Sequence, residues 1–177
     1  MKLDLGCGKA AIPGFEGADI IDFGQKWLVD LTKPWPWADG SAEEAFSSHF
    51  VEHLEPEERV HFANELFRVL RPGATARILV PHWRSHRAYG DMTHKWPPVS
   101  ESWFNYLNAD WRKKNAPHDT RYTCDFKPEW ENFGVTKGWI WAPTLPLPDS
   151  GLKPLVFYFD ELWDLETRIT KPEGEGK

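Results

Sequence analysis

Residues Lys2-Leu3-Asp4-Leu5-Gly6-Cys7-Gly8 run a short apolar strand straight into a glycine pair. Glycine has no Cβ and tolerates positive φ, so a strand that ends in Gly-x-Gly lets backbone approach a bound group closely. The feature constrains the fold because the connection after it is brief. Between this strand and the next apolar segment, Gly17-Ala18-Asp19-Ile20-Ile21, the chain is interrupted by Pro13-Gly14, and the third glycine of a dinucleotide-type turn is replaced by Ala11. A parallel crossover normally needs ~10–12 residues or more, so this connection has room for about one helical turn at most.

The remaining segments alternate strand and helix. Trp27 to Leu31 and Ala45 to Phe50 read as third and fourth strands, separated by the proline-punctuated stretch Pro34-Trp35-Pro36-Trp37. Pro56 to Leu70 spaces Val60, Ala63, Leu66, Phe67 and Leu70 by threes and fours, which predicts an amphipathic helix, opened by acids and closed by Arg71-Pro72-Gly73. Ala76 to Val80 is a fifth strand, and strand, helix and strand in this order imply a parallel crossover. Ser100 to Lys114 predicts a second helix capped by Ser100, and Arg121 to Phe126 and Leu155 to Ile169 predict the last strands. Trp130 to Gly151, rich in Trp, Pro and Gly, is expected to cover a site or a partner surface, including that of a homo-oligomer. One domain is expected over 1–170, with 171–177 as a flexible tail.

Charge and cysteine content narrow the class. A formal net charge of -6 argues against a duplex nucleic acid partner, although Arg84, Arg87 and Lys95 could form a local basic patch. Two cysteines, Cys7 and Cys124, lie far apart in sequence and Cys7 sits inside the glycine turn, so no disulfide framework is expected, which points to a reducing compartment. No apolar run approaches the ~20 residues of a membrane span, and the chain opens on a strand rather than a signal peptide. The expected location is cytoplasmic.

Asp19 or Asp22 stands where a nucleotide-binding α/β fold places the carboxylate that receives ribose hydroxyls, a position that an ordinary strand-end cap also occupies. The loop from His82 to Pro98 gathers His82, Arg84, His86, Arg87, Tyr89, Asp91, Thr93 and His94. His49-Phe50-Val51-Glu52-His53 matches the H-x-x-E-H pattern of a zinc hydrolase, with Glu65 as third ligand if the stretch were helical. Pro56 breaks such a helix, and no metal ligand is assigned.

Taken together, Leu3-Asp4-Leu5-Gly6-Cys7-Gly8, Pro13-Gly14-Phe15 with Asp19, Asp30-Leu31, Pro36 to Ser41, Ser48 to Leu54 and Glu65 to Gly73 resemble the class I S-adenosylmethionine-dependent methyltransferases, of the small type-11-like group with a shortened first crossover. The resemblance covers residues 2 to 95 and the rest in outline. It implies a Rossmann-like three-layer α/β sandwich, a mostly parallel sheet with an antiparallel C-terminal strand pair. It implies S-adenosyl-L-methionine as cofactor and S-adenosyl-L-homocysteine as product. Asp4, Gly6, Cys7 and Gly8 would wrap the methionine part, Asp19 would hold the ribose, Asp30 and Leu31 would border the adenine, and Ser48 with His49 would close the pocket. The acceptor would lie beyond strands four and five, where His94 with Asp91, His82 and His53 are the candidate bases. The motifs that mark DNA methylation after strand four are absent, so a small-molecule, sugar or peptide acceptor is expected. A non-catalytic module that keeps the cofactor is the alternative.

Overall fold

The computed structural model describes residues 1–9, 11–141 and 156–173, with backbone alone over 130–141 and 156–163. Its strands are β1 (Lys2–Leu5), β2 (Glu16–Asp19), β3 (Trp27–Leu28), β4 (Ala42–Ser48), β5 (Leu70–Pro81), β6 (Lys127–Trp141) and β7 (Val156–Thr170). Its helices are α1 (Pro56–Val69), α2 (Arg87–Gly90), α3 (Glu101–Tyr106) and α4 (Ala109–Asn115). The strands form one sheet in the order β3-β2-β1-β4-β5-β7-β6. The first five are parallel, and β7 runs antiparallel to both β5 and β6. The expected mostly parallel sheet with an antiparallel final pair is therefore the one that forms.

Register divides the sheet into two unlike faces. Leu3, Ala45, Ala76 and Ile169 stand in one row across four strands, and Phe62, Leu66, Phe104 and Leu107 from α1, α3 and the turn beyond join them in one core. The opposite face carries Asp4, Phe46, Arg77 and Arg168 in the adjacent row. Charges there are neutralised in place: Lys2 pairs with Glu44 at 2.8 Å, Arg77 with Glu166 at 2.7 Å, and the Arg77 guanidinium lies over the Phe46 ring. Among the described residues no helix stands between β1 and β2, β2 and β3, or β3 and β4. The layer over this face is loop at β1, where Ile12 donates its N–H to Asp4 and Phe15 meets the Lys2 ammonium.

Local chemistry accounts for the elements. Helix α1 starts at Pro56, whose missing N–H costs nothing at a first helical position, while the Glu58 carboxylate accepts from the Glu55 N–H at 2.8 Å. The proline stretch turns Trp35 and Trp37 inward, edge-on to each other and to Phe62 and Trp27 respectively. The helix expected over 100–114 is two helices. Asn108 interrupts it, accepting the Trp111 N–H to restart a helix while donating its amide to the Phe126 carbonyl. Arg121 to Phe126 is not strand; its carbonyls and N–H groups are taken by Asn64, Arg112 and Leu107, and pairing begins at Lys127. Trp130 to Trp141, expected as part of a cover, is strand by backbone, and 142–151 lies outside the described residues. Pairing of β6 with β7 continues to Trp141 and Val156, past the last β5 rung at Pro81 and Asp164. That two-stranded remainder runs beyond the C-terminal end of β5. Of the expected tail, Lys171 is tied down, its ammonium donating to the Phe67 and Leu70 carbonyls, and 174–177 lies outside the described residues.

Arg59 fixes the loop that the site depends on. It is 3% exposed, and its guanidinium donates to the carbonyls of Leu54, Pro97 and Lys95 at 2.9, 2.6 and 2.9 Å. Arg59→Met keeps most of the packing and removes the donors. The expected loss is about 2–3 kcal/mol in urea unfolding. A loss under about 0.5 kcal/mol, the range of an ordinary surface change, would show that the loop is held by other contacts.

Candidate functional site

The C-terminal ends of β1, β2, β4 and β5 carry the chemistry-bearing residues, as ligand sites in open α/β sheets do. At β1, Gly6 and Gly8 both have positive φ, +73° and +56°. They differ in surroundings. A Cβ on Gly6 would enter the Phe50 ring, whereas a Cβ on Gly8 would meet nothing within 4 Å. Gly8 is thus the open side of the turn. The Cys7 side chain points back toward Gly17, and burial, with Asp4 and Asp19 nearby, pushes its thiol pKa up.

Two carboxylates hold this turn. Asp19, at the end of β2, accepts from the Gly8 N–H at 2.9 Å and from the Ile21 N–H at 3.0 Å. Asp4 is 3% exposed and accepts from the Ile12 N–H; burial raises its pKa and that hydrogen bond opposes the rise. Of the two acids open to the ribose role, Asp22 instead closes its own turn on Gly24. Ile20 and Ile21 follow Asp19 and are 62% and 57% exposed, an apolar surface beside the turn that strand reasoning overlooks. Asp30 accepts from both the N–H and the hydroxyl of Thr32, which lower its pKa, and Leu31 is buried in the core.

Ser48 ends β4 and His49 follows it with φ +52°, a rare conformation for a non-glycine residue. Its N–H is fixed on the Leu79 carbonyl at 2.8 Å, and its Nδ1 lies 3.2 Å from Glu52 Oε1, a contact that raises the His49 pKa. A cavity of about 740 Å³ opens here, lined by His49, Glu52, His53, Arg87, Asp91 and His94 among others. The His53 and His94 rings meet edge-on with centroids 4.8 Å apart. His53 Nδ1 lies 3.0 Å from the Thr93 hydroxyl, which in turn lies 2.6 Å from Asp91 Oδ1; Thr93 lowers the Asp91 pKa. Asp91 Oδ2 stands 3.8 Å from His94 Nε2.

The structure therefore brings together His53, His94 and the carboxylate Asp91 expected to orient it, three of the four expected catalytic residues, and separates His82 from them. His82 is 1% exposed, its Nδ1 accepts from the Arg84 N–H, and its Nε2 lies 3.0 Å from Glu101, so both nitrogens are spent inside the protein. The zinc-hydrolase pattern does not form. Within it only Val51–His53 is helical, as a single 3-10 turn that excludes His49, and Glu65 is committed to Arg68 and to the Trp35 N–H. Two of the three residues of the expected basic patch are neutralised, Arg87 by Asp164 and Lys95 by Glu55. Glu52 is not among the expected site residues, and its burial next to His53 is invisible to sequence pattern.

Solved structures share this architecture. A S-adenosylmethionine-dependent methyltransferase from Archaeoglobus fulgidus is similar with a TM-score of 0.65 at 20% identity, over 96% of this chain and 85% of that one. One from Methanosarcina mazei gives 0.52 at 17% identity, over 97% and 92%. The 1,6-didemethyltoxoflavin-N1-methyltransferase of Burkholderia thailandensis, solved with 1,6-didemethyltoxoflavin and S-adenosylhomocysteine, gives 0.52 at 13% identity, over 97% and 71%. No protein-family model matches the sequence, and no curated protein matches it. The chain has the class I S-adenosylmethionine-dependent methyltransferase fold.

The unlike surroundings of the two glycines give a paired test. Gly6→Ala adds a methyl group into Phe50 on top of a left-handed backbone, for an expected loss of about 3 kcal/mol or more. Gly8→Ala meets only the backbone penalty, about 1 kcal/mol. Equal losses for the two in urea unfolding would contradict the packing of Phe50 on the turn.

Proposed function

We propose that this chain is a S-adenosylmethionine-dependent methyltransferase that methylates an oxygen or nitrogen of a small molecule, sugar or peptide. The observation that carries the reading is the Gly8 side of the turn, bare of side chains, facing a carboxylate at the end of β2 in a sheet of this order. The residues fit the cofactor. A cradle that a Cβ would narrow receives an amino-acid end against main chain, and each Asp19 oxygen, already taking one N–H, keeps a second lone pair for a ribose hydroxyl. Ile20 and Ile21 offer apolar surface to an adenine ring. When bound, S-adenosylmethionine supplies a sulfonium methyl group whose bond to sulfur breaks as the bond to the acceptor forms, leaving a neutral thioether.

The chain's own residues align the acceptor, exclude water and receive its proton. Ser48 ends β4, the strand between β1 and β5, and His49 lines the cavity, so the acceptor would enter from the side of His53, Asp91 and His94. His82, sealed against Glu101, takes no part. The charge pairs at Arg87 and Lys95 leave little free positive charge for a phosphate backbone, which favours a small acceptor over nucleic acid.

Saturating S-adenosylhomocysteine is expected to raise the melting temperature, and Gly8→Val to abolish the rise by filling the open side of the turn. Asp19→Ala weakens binding about tenfold in calorimetry, the scale of one lost charge-assisted hydrogen bond. Methyl-labelled cofactor and an acceptor panel then test transfer. A folded protein whose melting temperature does not move at saturating S-adenosylhomocysteine would refute the reading.

A further inference from the structure

Glu52, His53 and His94 each present one donor atom, and the three donors lie within 4.8 Å of one another. Two come from the 3-10 turn after β4 and the third from the loop beyond α2, so the cluster is made by the fold and not by a sequence motif. Glu52 is 4% exposed. Its Oε1 faces His49, while its Oε2 is buried without any hydrogen-bond partner. A buried carboxylate oxygen left without a donor is destabilising, and a cation would satisfy it.

The hydrogen bonds behind the histidines set both rings for coordination. Asp91 Oδ1, an acceptor only, takes the Thr93 hydroxyl proton at 2.6 Å, so the hydroxyl oxygen faces His53 Nδ1 as an acceptor. His94 Nδ1 lies 3.3 Å from the Ala88 carbonyl, which also can only accept. Each ring is thereby placed to donate from Nδ1, which leaves Nε2 as the nitrogen available to a ligand. This is the arrangement that holds metal-ligating imidazoles, the second nitrogen donating to a carbonyl or other acceptor. Asp91 Oδ2 stands 3.8 Å from His94 Nε2, so a carboxylate borders the place that a cation on Nε2 would take.

We infer that Glu52, His53 and His94 form a binding site for one divalent transition-metal ion, with Asp91 at its rim. Two imidazoles and one carboxylate suit Zn²⁺, Fe²⁺, Co²⁺ or Mn²⁺ better than Mg²⁺ or Ca²⁺, which take oxygen sets. Bonds of about 2.0–2.2 Å place donors roughly 3.3 Å apart, so donors spread over as much as 4.8 Å close in when an ion binds. Three protein donors leave positions open toward the cavity. In the methyl-transfer reading, on which the role but not the existence of the site rests, those positions take the acceptor. Its class is then a molecule that chelates through a hydroxyl and a neighbouring oxygen, the ion orienting the hydroxyl and lowering its pKa.

The test uses the full chain stripped of metal, titrated with Co²⁺ by visible absorption and with Zn²⁺ by calorimetry. One ion per chain is expected, with a Kd of about 10 μM or tighter. Glu52→Gln and His94→Asn each weaken binding at least ~10-fold, Thr93→Val weakens it several-fold through His53, and the His53→Asn/His94→Asn double variant abolishes it. His118→Asn, at an exposed histidine outside the cluster, leaves it unchanged. Circular dichroism establishes that each variant is folded, and the double variant is read with Glu52→Gln should either fail to fold. No binding by the wild-type chain at ~1 mM ion, or undiminished binding by the folded variants, overturns the site. S-adenosylhomocysteine binding to the metal-free protein is measured separately: its loss with ion binding intact counts against methyl transfer alone, and its retention without ion binding counts against the metal site alone.

Discussion

The connection from β1 to β2 is the constraint on which the rest of the structure depends. The chain must return from β1 to a neighbouring parallel strand, and among the described residues no helix spans the distance. Two carboxylates take the place of a crossover helix: Asp4 from within β1 holds Ile12, and Asp19 from the end of β2 holds Gly8. Hydrogen bonds from N–H groups to carboxylates are stronger than neutral ones, which lets a short irregular loop keep one shape. The consequence reaches the whole sheet. With no helix between β1 and β4 among the described residues, these strands do not carry on that face the apolar rows of a sheet buried on both sides. The face carries Lys2, Glu44, Arg77 and Glu166 in pairs instead.

Burial falls on the other face, and the way it is organised decides where the acceptor side of the site lies. Arg59, on the inward stripe of α1, spends its guanidinium on the carbonyls of Leu54, Pro97 and Lys95, while the Lys95 N–H returns to the Glu52 carbonyl. The loop that carries His94 is thereby stitched to the turn that carries Glu52 and His53. A buried cation next to a buried carboxylate also makes the Glu52 charge tolerable in the interior, although no hydrogen bond joins the guanidinium to that carboxylate. Position is set by backbone carbonyls and charge by proximity.

Much of the frame is legible in the sequence because it rests on short-range signals. The Gly-x-Gly turn, the period of α1 and the alternation that ends β7 each announce themselves within a few residues, and the sheet order agrees with the resemblance they support. The second helix is misread from pattern because Asn108 is a fair interior residue by spacing and a strong cap once the Phe126 carbonyl comes within reach of its amide. Asp30 fits a ligand-binding role by position, and the structure engages it with Thr32. His82 reads as a loop histidine free to act as base; only the fold brings Glu101 to it and closes it off. Glu52 is hidden for the converse reason. In the sequence Glu52 stands out only within the H-x-x-E-H pattern, which does not form; the turn after β4 buries it, and its neighbour His94 arrives from a distant loop.

One segment, residues 48–53, joins both parts of the site. Phe50 lays its ring on Gly6, so the segment's position sets the depth of the turn at β1, while Glu52 and His53, just beyond it in the chain, belong to the cluster at the acceptor side. His49, just before Phe50, is held at φ +52°, a conformation that costs of order 1 kcal/mol and persists only where surrounding contacts determine it. Those contacts are its N–H on Leu79 and its ring on Glu52, one from the sheet and one from the cluster. An occupant of the cluster and the ring that packs on Gly6 therefore share one short segment of chain. If the occupant draws Glu52 toward itself, it also shifts the anchor that keeps His49 strained and Phe50 seated, and the effect must be equal in the reverse direction, since coupling between two binding equilibria is reciprocal.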